Sequence, residues 1–158
     1  MRLRAQIQLQ RRPGGQRIRY AGLHQRPYAV ALRKHPNLAR EKKILFIADE
    51  IQTALGRTGK RFACDHEGVK PDAYILGKAL SGGFYPVSAF VTRREVMDVF
   101  SPGSHGSTYG GNPLGCAVAR TALDVIQDEK LEERSAELGA WFLSELRKIE
   151  HPKIREIR

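Results

Sequence analysis

Hydrophobic and polar positions organise this chain only beyond its first forty residues. Ile44-Leu45-Phe46-Ile47-Ala48 is an unbroken apolar run that stops at Asp49-Glu50. Apolar residues on both faces predict a strand buried in a parallel sheet, and functional groups in such sheets collect just past the strands' carboxyl ends. The polar, glycine-rich stretch Gly56-Arg57-Thr58-Gly59-Lys60 predicts a loop. Pro71-Asp72 leads into a second short run, Ala73-Tyr74-Ile75-Leu76, which ends at Gly77-Lys78. Residues 86–91 predict a third strand.

Helical spacing follows. Thr92-Arg93-Arg94-Glu95 has the spacing of a capping box, with Val91 and Val96 placed as a hydrophobic staple. Residues 101–111 predict a Gly/Ser-rich loop. Asn112-Pro113 predicts a helix start, Asn as N-cap and Pro at the first helical position. Leu114, Val118, Ala122 and Val125 then recur at helical spacing. A last helix over residues 131–149 gathers Leu131, Leu138, Trp141, Phe142, Leu146 and Ile149 on one face. Strands mixed with helices predict an α/β fold.

Residues 1–40 show weak periodicity, broken at Pro13-Gly14-Gly15, Pro27 and Pro36. They also carry the charge anomaly. The net charge of +10 points to a nucleic-acid partner until it is located: residues 1–40 hold ten Lys/Arg and no acid, leaving seventeen bases against seventeen acids in 41–158. The chain is therefore a charge-balanced domain behind a basic leader. Three readings compete for that leader: an arm binding phosphate by charge alone, an organelle transit peptide (which is normally Ser-rich, whereas this segment has no Ser), or sequence that is not part of the fold. The last is favoured, so no nucleic-acid partner is expected.

With 158 residues, 41% hydrophobic and 28% charged, the chain has one domain's worth of ordinary soluble sequence. No apolar run approaches the roughly 20 residues that span a bilayer, and no apolar signal follows Met1, so no membrane partner is expected and the compartment is read as cytoplasmic. Cys64 and Cys116 have no metal-ligand spacing and are read as small, reduced, buried side chains. The five histidines propose no metal site.

Two strand ends each deliver a charged group, Asp49 and Lys78. Either alone is weak, since a lone Asp after a strand usually caps a turn and a lone Lys beside Gly is usually solvated. Their context carries more. Residues 46–53, 56–60, Gly77-Lys78-Ala79-Leu80-Ser81-Gly82-Gly83 and 105–114, in this order and spacing, resemble the class-III aminotransferases, which are fold-type-I pyridoxal-phosphate enzymes. The resemblance covers about residues 42–158. Within the family, residues 47–52, 62–65, 85–89 and 102–108 resemble the branch that acts on ornithine, and the acetylornithine branch shares the core motifs.

The resemblance implies a fold-type-I large domain, α/β and mostly parallel, cut at both ends, with the last helix leading toward a small C-terminal domain. It implies transamination between ornithine and a 2-oxo acid, giving glutamate 5-semialdehyde and an amino acid. The alternatives are acetylornithine or another ω-amino acid, or a non-catalytic remnant. It implies a homodimer and, in a eukaryotic cell, a possible place in the mitochondrial matrix. Lys78 would hold the cofactor aldehyde as a Schiff base and then move a proton, a task that suits an amine able to lose its charge on desolvation. Asp49 would pair with the pyridine nitrogen, Gln52 with the phenolic oxygen, and Ile51 would pack on the ring. Ser107 and Thr108 would reach the phosphate of a cofactor held mainly by the other subunit. Arg57 is read as bracing its loop. The chain departs from the family pattern at Ala54, where Gly is usual, which predicts a stiffer turn after Gln52. It also departs in lacking the family's main phosphate turn, cofactor-stacking aromatic and C-terminal substrate arginine, so the isolated chain is expected to turn over little substrate.

Overall fold

A computed structural model describes residues 6–10, 19–20 and 37–157. Five strands form one sheet in the order β2-β1-β3-β4-β5. They are β1 Gln6–Gln10, β2 Arg19–Tyr20, β3 Leu45–Asp49, β4 Ala73–Leu76 and β5 Ala89–Thr92. Beyond a helical segment at 37–41, the described helices are α1 Arg94–Met97, α2 Pro113–Asp128 and α3 Leu131–Leu146, with short 3-10 turns at Ala63–Glu67 and Lys78–Ser81.

The chain is α/β, and the pairing that matters for function is parallel: β3 lies beside β4 with Ile47 opposite Ala73 and Asp49 opposite Ile75. The expectation of a mostly parallel sheet holds for this pair alone among the described strands. β5 returns antiparallel to β4, with Leu76 opposite Ala89. The twelve residues 77–88 between them hold only a 3-10 turn, and a parallel return needs a crossover, usually a helix. β1 pairs antiparallel with the other edge of β3, from Gln6 opposite Asp49 to Gln10 opposite Leu45.

That pairing changes the picture of the leader. Residues 1–40 were expected to lie outside the fold, yet Gln6–Gln10 and Arg19–Tyr20 are strands of the sheet, and residues 37–41 are helical with Ala39 buried beneath β3. The physical reason is the open edge of β3, whose unpaired N–H and C=O groups accept any extended segment in reach. The rest of the leader lies outside the described residues.

Two apolar clusters hold the sheet. On one side Phe46 and Ala48 of β3 pack with Ala39, Cys64 and Val69. In the other, Ala54, Leu55, Leu76 and Leu80 meet Ala119 and Ile126 of α2. Helix α2 starts as its sequence predicts: Asn112 Oδ1 accepts from the Gly115 amide at 2.7 Å, with Pro113 as the first helical residue. Its inward face is turned slightly from the expected one. Val118, Ala119, Ala122 and Ile126 are half-buried, while Leu114 and Val125 are exposed. Cys116 is also exposed, against expectation, because it falls on the solvent side of this helix.

The capping box at Thr92–Glu95 does not form. Arg93 is the N-cap of α1 and makes no side-chain cap bond. The Thr92 hydroxyl instead donates to the Asp72 carbonyl at 2.7 Å, stitching β5 to the start of β4. Helix α3 ends at Leu146, three residues short of its predicted end, and its Leu138, Trp141 and Phe142 are exposed. Ala54 fits its position well. Its φ is not in the left-handed region, and its methyl group lies in the core. The loop after it seats against α3. Gly59 has φ +83°, and a Cβ there would stand 2.9 Å from the Ala136 Cβ, so only glycine fits. Arg61 closes the same contact by an ion pair with Glu132 at 2.6 Å.

The cluster under β3 contains two titratable groups that the fold keeps neutral. Burial pushes the Cys64 thiol up, and the Glu50 charge adds to it. Burial likewise lifts the Tyr74 phenol, stacked on Phe62 at 4.3 Å, from its ordinary 10.0 to about 12. A raised acid favours the protonated form in the folded state, so this stability is complete below the ordinary values of 9.0 and 10.0. It is lost as pH rises from there through about 12. The denaturant midpoint is expected to fall steeply between pH 9.0 and about 12. Tyr74→Phe, which keeps the stacked ring, should flatten that slope; an unchanged slope would remove Tyr74 from the account.

Candidate active site

The carboxyl ends of the parallel pair β3 and β4 lie side by side, and both deliver their predicted groups there. Asp49 is the last residue of β3, and its Oδ1 accepts the Ile51 amide at 3.2 Å, which tightens the turn that follows. The next amide, Glu50 N–H, donates to the Ile75 carbonyl at 3.0 Å, so this turn is tied to the neighbouring strand at its mouth. β4 ends at Leu76, and Gly77 and Lys78 follow directly.

Gly77 is the close approach between the two strand ends. A Cβ on it would sit 3.5 Å from Ile51 Cγ2 and 3.8 Å from Ser88 Cβ, which places the Ile51 side chain beside the residue preceding Lys78. Lys78 itself has φ +48°. A lysine in that left-handed region carries strain of about 1–3 kcal/mol and persists only where its surroundings hold it. The 3-10 turn that it opens supplies part of this hold. Leu80 is buried in the core with α2, the Ser81 hydroxyl donates to the Lys78 carbonyl at 3.2 Å, and the Gly82 amide donates to the Ala79 carbonyl at 2.9 Å.

Asp49, Ile51, Gln52 and Lys78 therefore share one end of the sheet. Asp49 and Ile51 are half-buried, while Gln52 and Lys78 are exposed. Among the described residues, Asp49 Oδ2 and the side chains of Gln52 and Lys78 make no hydrogen bond or ion pair within the chain, so all three keep their polar capacity for a ligand. Ser107 and Thr108 are exposed on the loop that leads into α2 and make no bond to Asp49, Gln52 or Lys78 among the described residues. Ser107 is held by its own turn, where a Cβ on Gly110 would stand 2.9 Å from the Ser107 Cβ. Arg57 is exposed on the glycine loop. Among the described residues there is no cluster of three metal-ligating side chains, and no helix is long and apolar enough to cross a membrane.

One participant was missed in the sequence. Glu50 reads there only as the end of an apolar run, yet it is 3% exposed and its carboxylate accepts from the Thr53 hydroxyl, the Ala63 amide at 3.1 Å and the Cys64 amide at 2.9 Å. The available signal was the Glu50–Thr53 spacing directly after a buried strand, which suits a side chain that folds back on its own turn.

The family pattern of the class-III aminotransferases matches residues 23–158, so it begins within the leader. The chain is 59% identical over 127 residues to the ornithine aminotransferase of Geobacillus sp. (strain WCH70), covering 80% of this chain and 32% of that protein. The solved ornithine aminotransferase of Toxoplasma gondii, with partial occupancy of PLP at its active site, superimposes with a TM-score of 0.78 at 53% identity, over 80% of this chain and 30% of that one. The acetylornithine aminotransferase of Elizabethkingia anophelis gives a TM-score of 0.72 at 60% identity, over 74% of this chain and 29% of that one. The chain thus spans about a third of the length of the curated relatives it matches.

Proposed function

The chain belongs to the class-III aminotransferases, and from that premise we propose that it forms the lysine-bearing part of a pyridoxal-phosphate site for transamination of ornithine with a 2-oxo acid. The observation that carries this reading is the convergence of Asp49, Ile51, Gln52 and Lys78 on the carboxyl ends of two adjacent parallel strands. The donor set fits the cofactor: an amine for its aldehyde, a carboxylate for its ring nitrogen, an amide for its ring oxygen and an apolar side chain for its face. When bound, pyridoxal phosphate supplies a ring that takes up the charge of a developing carbanion.

The protein residues do the rest. Asp49, fixed by the Ile51 amide, presents its second oxygen to the ring nitrogen and favours the protonated, electron-poor ring. Ile51, packed over Gly77, would offer its apolar side chain to the face of the ring. Gln52 donates to the ring oxygen. Lys78 would hold the cofactor at Nζ, and the same amine, when free, would hold and move a proton. Ser107 and Thr108 are exposed on the loop before α2, which suits hydroxyls that would reach the phosphate in a second copy of the chain, so a homodimer would complete the site.

Acetylornithine is the second reading, favoured by the 60% identity to the Elizabethkingia enzyme. Reduction of the chain with borohydride in the presence of pyridoxal phosphate, followed by peptide mass spectrometry, tests the site. The label is expected on Lys78 above every other lysine, and random labelling would overturn the reading. Turnover of ornithine by the chain alone is expected to be slight, because the chain spans about a third of the length of the relatives that carry that activity.

A further inference from the structure

Glu50 is a buried carboxylate that the reaction does not use. Among the described residues no cation pairs with it. Its amide holds the Ile75 carbonyl at the end of β4, and its carbonyl receives the amides of Thr53 at 3.2 Å and Ala54 at 3.0 Å. Its carboxylate crosses to another part of the chain: Oε1 receives the Cys64 amide, and Oε2 receives both the Ala63 amide and the Thr53 hydroxyl. Three segments meet on one residue.

A glutamine of the same shape would not serve. The Ala63 and Cys64 amides are both donors and address different oxygens, so both side-chain positions must accept. An amide nitrogen at either position would face an N–H group and leave it unpaired in a buried place, which is costly. The chemistry calls for a carboxylate even though burying its charge is unfavourable.

We infer that Glu50 is the positioning residue of the cofactor site, clamping the turn that carries Ile51 and Gln52 to residues 63–64 on one side and to the end of β4, beside Lys78, on the other. This inference rests on the cofactor reading of Asp49, Gln52 and Lys78. Without the clamp, Ile51 and Gln52 lose their fixed place relative to Gly77 and Lys78.

The test is a titration of the full chain with pyridoxal phosphate, followed by visible absorbance well below each variant's melting point, with amide hydrogen exchange on the cofactor-free chain. Four proteins are compared: wild type, Glu50→Gln, Thr53→Val and Val69→Ala. Val69 is buried in the same cluster as Cys64 but makes no bond to the turn, so its truncation costs stability alone. Glu50→Gln is expected to weaken cofactor binding about tenfold, Thr53→Val about threefold, and Val69→Ala by less than about twofold. Exchange should quicken at residues 53, 54, 63 and 64 in Glu50→Gln and Thr53→Val. Wild-type affinity and exchange in Glu50→Gln would overturn the inference, as would equal weakening in Glu50→Gln and Val69→Ala. If Glu50→Gln does not fold, Thr53→Val, which removes a donor and keeps the shape, decides by the same two readouts. A wild-type chain with no Lys78-dependent band would overturn the cofactor reading. The exchange data would still decide whether Glu50 holds the turn.

Discussion

Lys78→Ala is expected to abolish the visible absorbance that pyridoxal phosphate acquires on binding the wild-type chain, while leaving the melting temperature nearly unchanged. The two halves of that result have separate causes. Lys78 is exposed and its side chain makes no internal bond among the described residues, so truncating it removes no packing. Alanine pays the same strain at φ +48°, and surface changes of this kind usually stay within about 0.5 kcal/mol. The affinity, by contrast, loses its covalent anchor, and a fall on the order of a hundredfold, about 2.7 kcal/mol, is expected. Lys78→Arg sharpens the test. It keeps the charge, but a guanidinium does not give up its proton and cannot take the aldehyde, so the band should be missing there too. A band that survives in either variant would mean that another amine holds the cofactor. The assignment of Asp49 and Gln52 as ring partners would then lose its reference point.

Strand chemistry made the places of Asp49 and Lys78 legible in the sequence, while Ile51 and Gln52 came only from the family resemblance. An apolar run followed at once by Asp49, and another followed by Gly77-Lys78, place two functional groups past strand ends whatever the rest of the chain does. The Asn112-Pro113 start of α2 was equally plain, because cap and proline are local signals. What was not legible depends on partners distant in sequence. Thr92 sits three residues before Glu95, as a capping box requires, but its hydroxyl found the Asp72 carbonyl across the sheet. The direction of β5 is an exception, since the short connection between the two predicted runs already rules out a helical crossover. Ala5-Gln6-Ile7-Gln8-Leu9-Gln10 alternates strictly, a strand signal that the weak periodicity and ten positive charges of residues 1–40 as a whole obscure, but nothing local names β3 as its partner. That pairing is set by the open edge that β3 presents. Glu50 escaped notice for the same reason: a carboxylate reads as solvent-facing until its donors, thirteen and fourteen residues away, are seen.

Phe46→Ala should do the reverse of Lys78→Ala, removing the fold and, only through it, the cofactor. Phe46 is 1% exposed and is the largest fully buried side chain of the cluster under β3. Deleting a buried aromatic ring costs about 3–5 kcal/mol, because the cavity it leaves collapses only partly. Domains of this size have roughly 5–15 kcal/mol in total, so the change should remove from about a fifth of that stability to all of it. The backbone at Phe46 raises the stakes. Its amide donates to Asp72 Oδ2 at 2.9 Å, its carbonyl receives the Asp72 amide at 2.8 Å, and Asp72 in turn binds Arg93 at 2.8 Å. Strands β3, β4 and β5 are joined at this one place, and the register that sets Asp49 opposite Ile75 runs from it. Urea unfolding read by circular dichroism should show the loss, with Phe46→Leu falling between the two. Cofactor binding in Phe46→Ala should decline in proportion to the unfolded fraction and return when an osmolyte restores folding, whereas no osmolyte should restore it to Lys78→Ala. A Phe46→Ala chain within about 1 kcal/mol of wild type would mean that β3 is not held by this cluster, and the antiparallel addition of Gln6–Gln10 would become its main support.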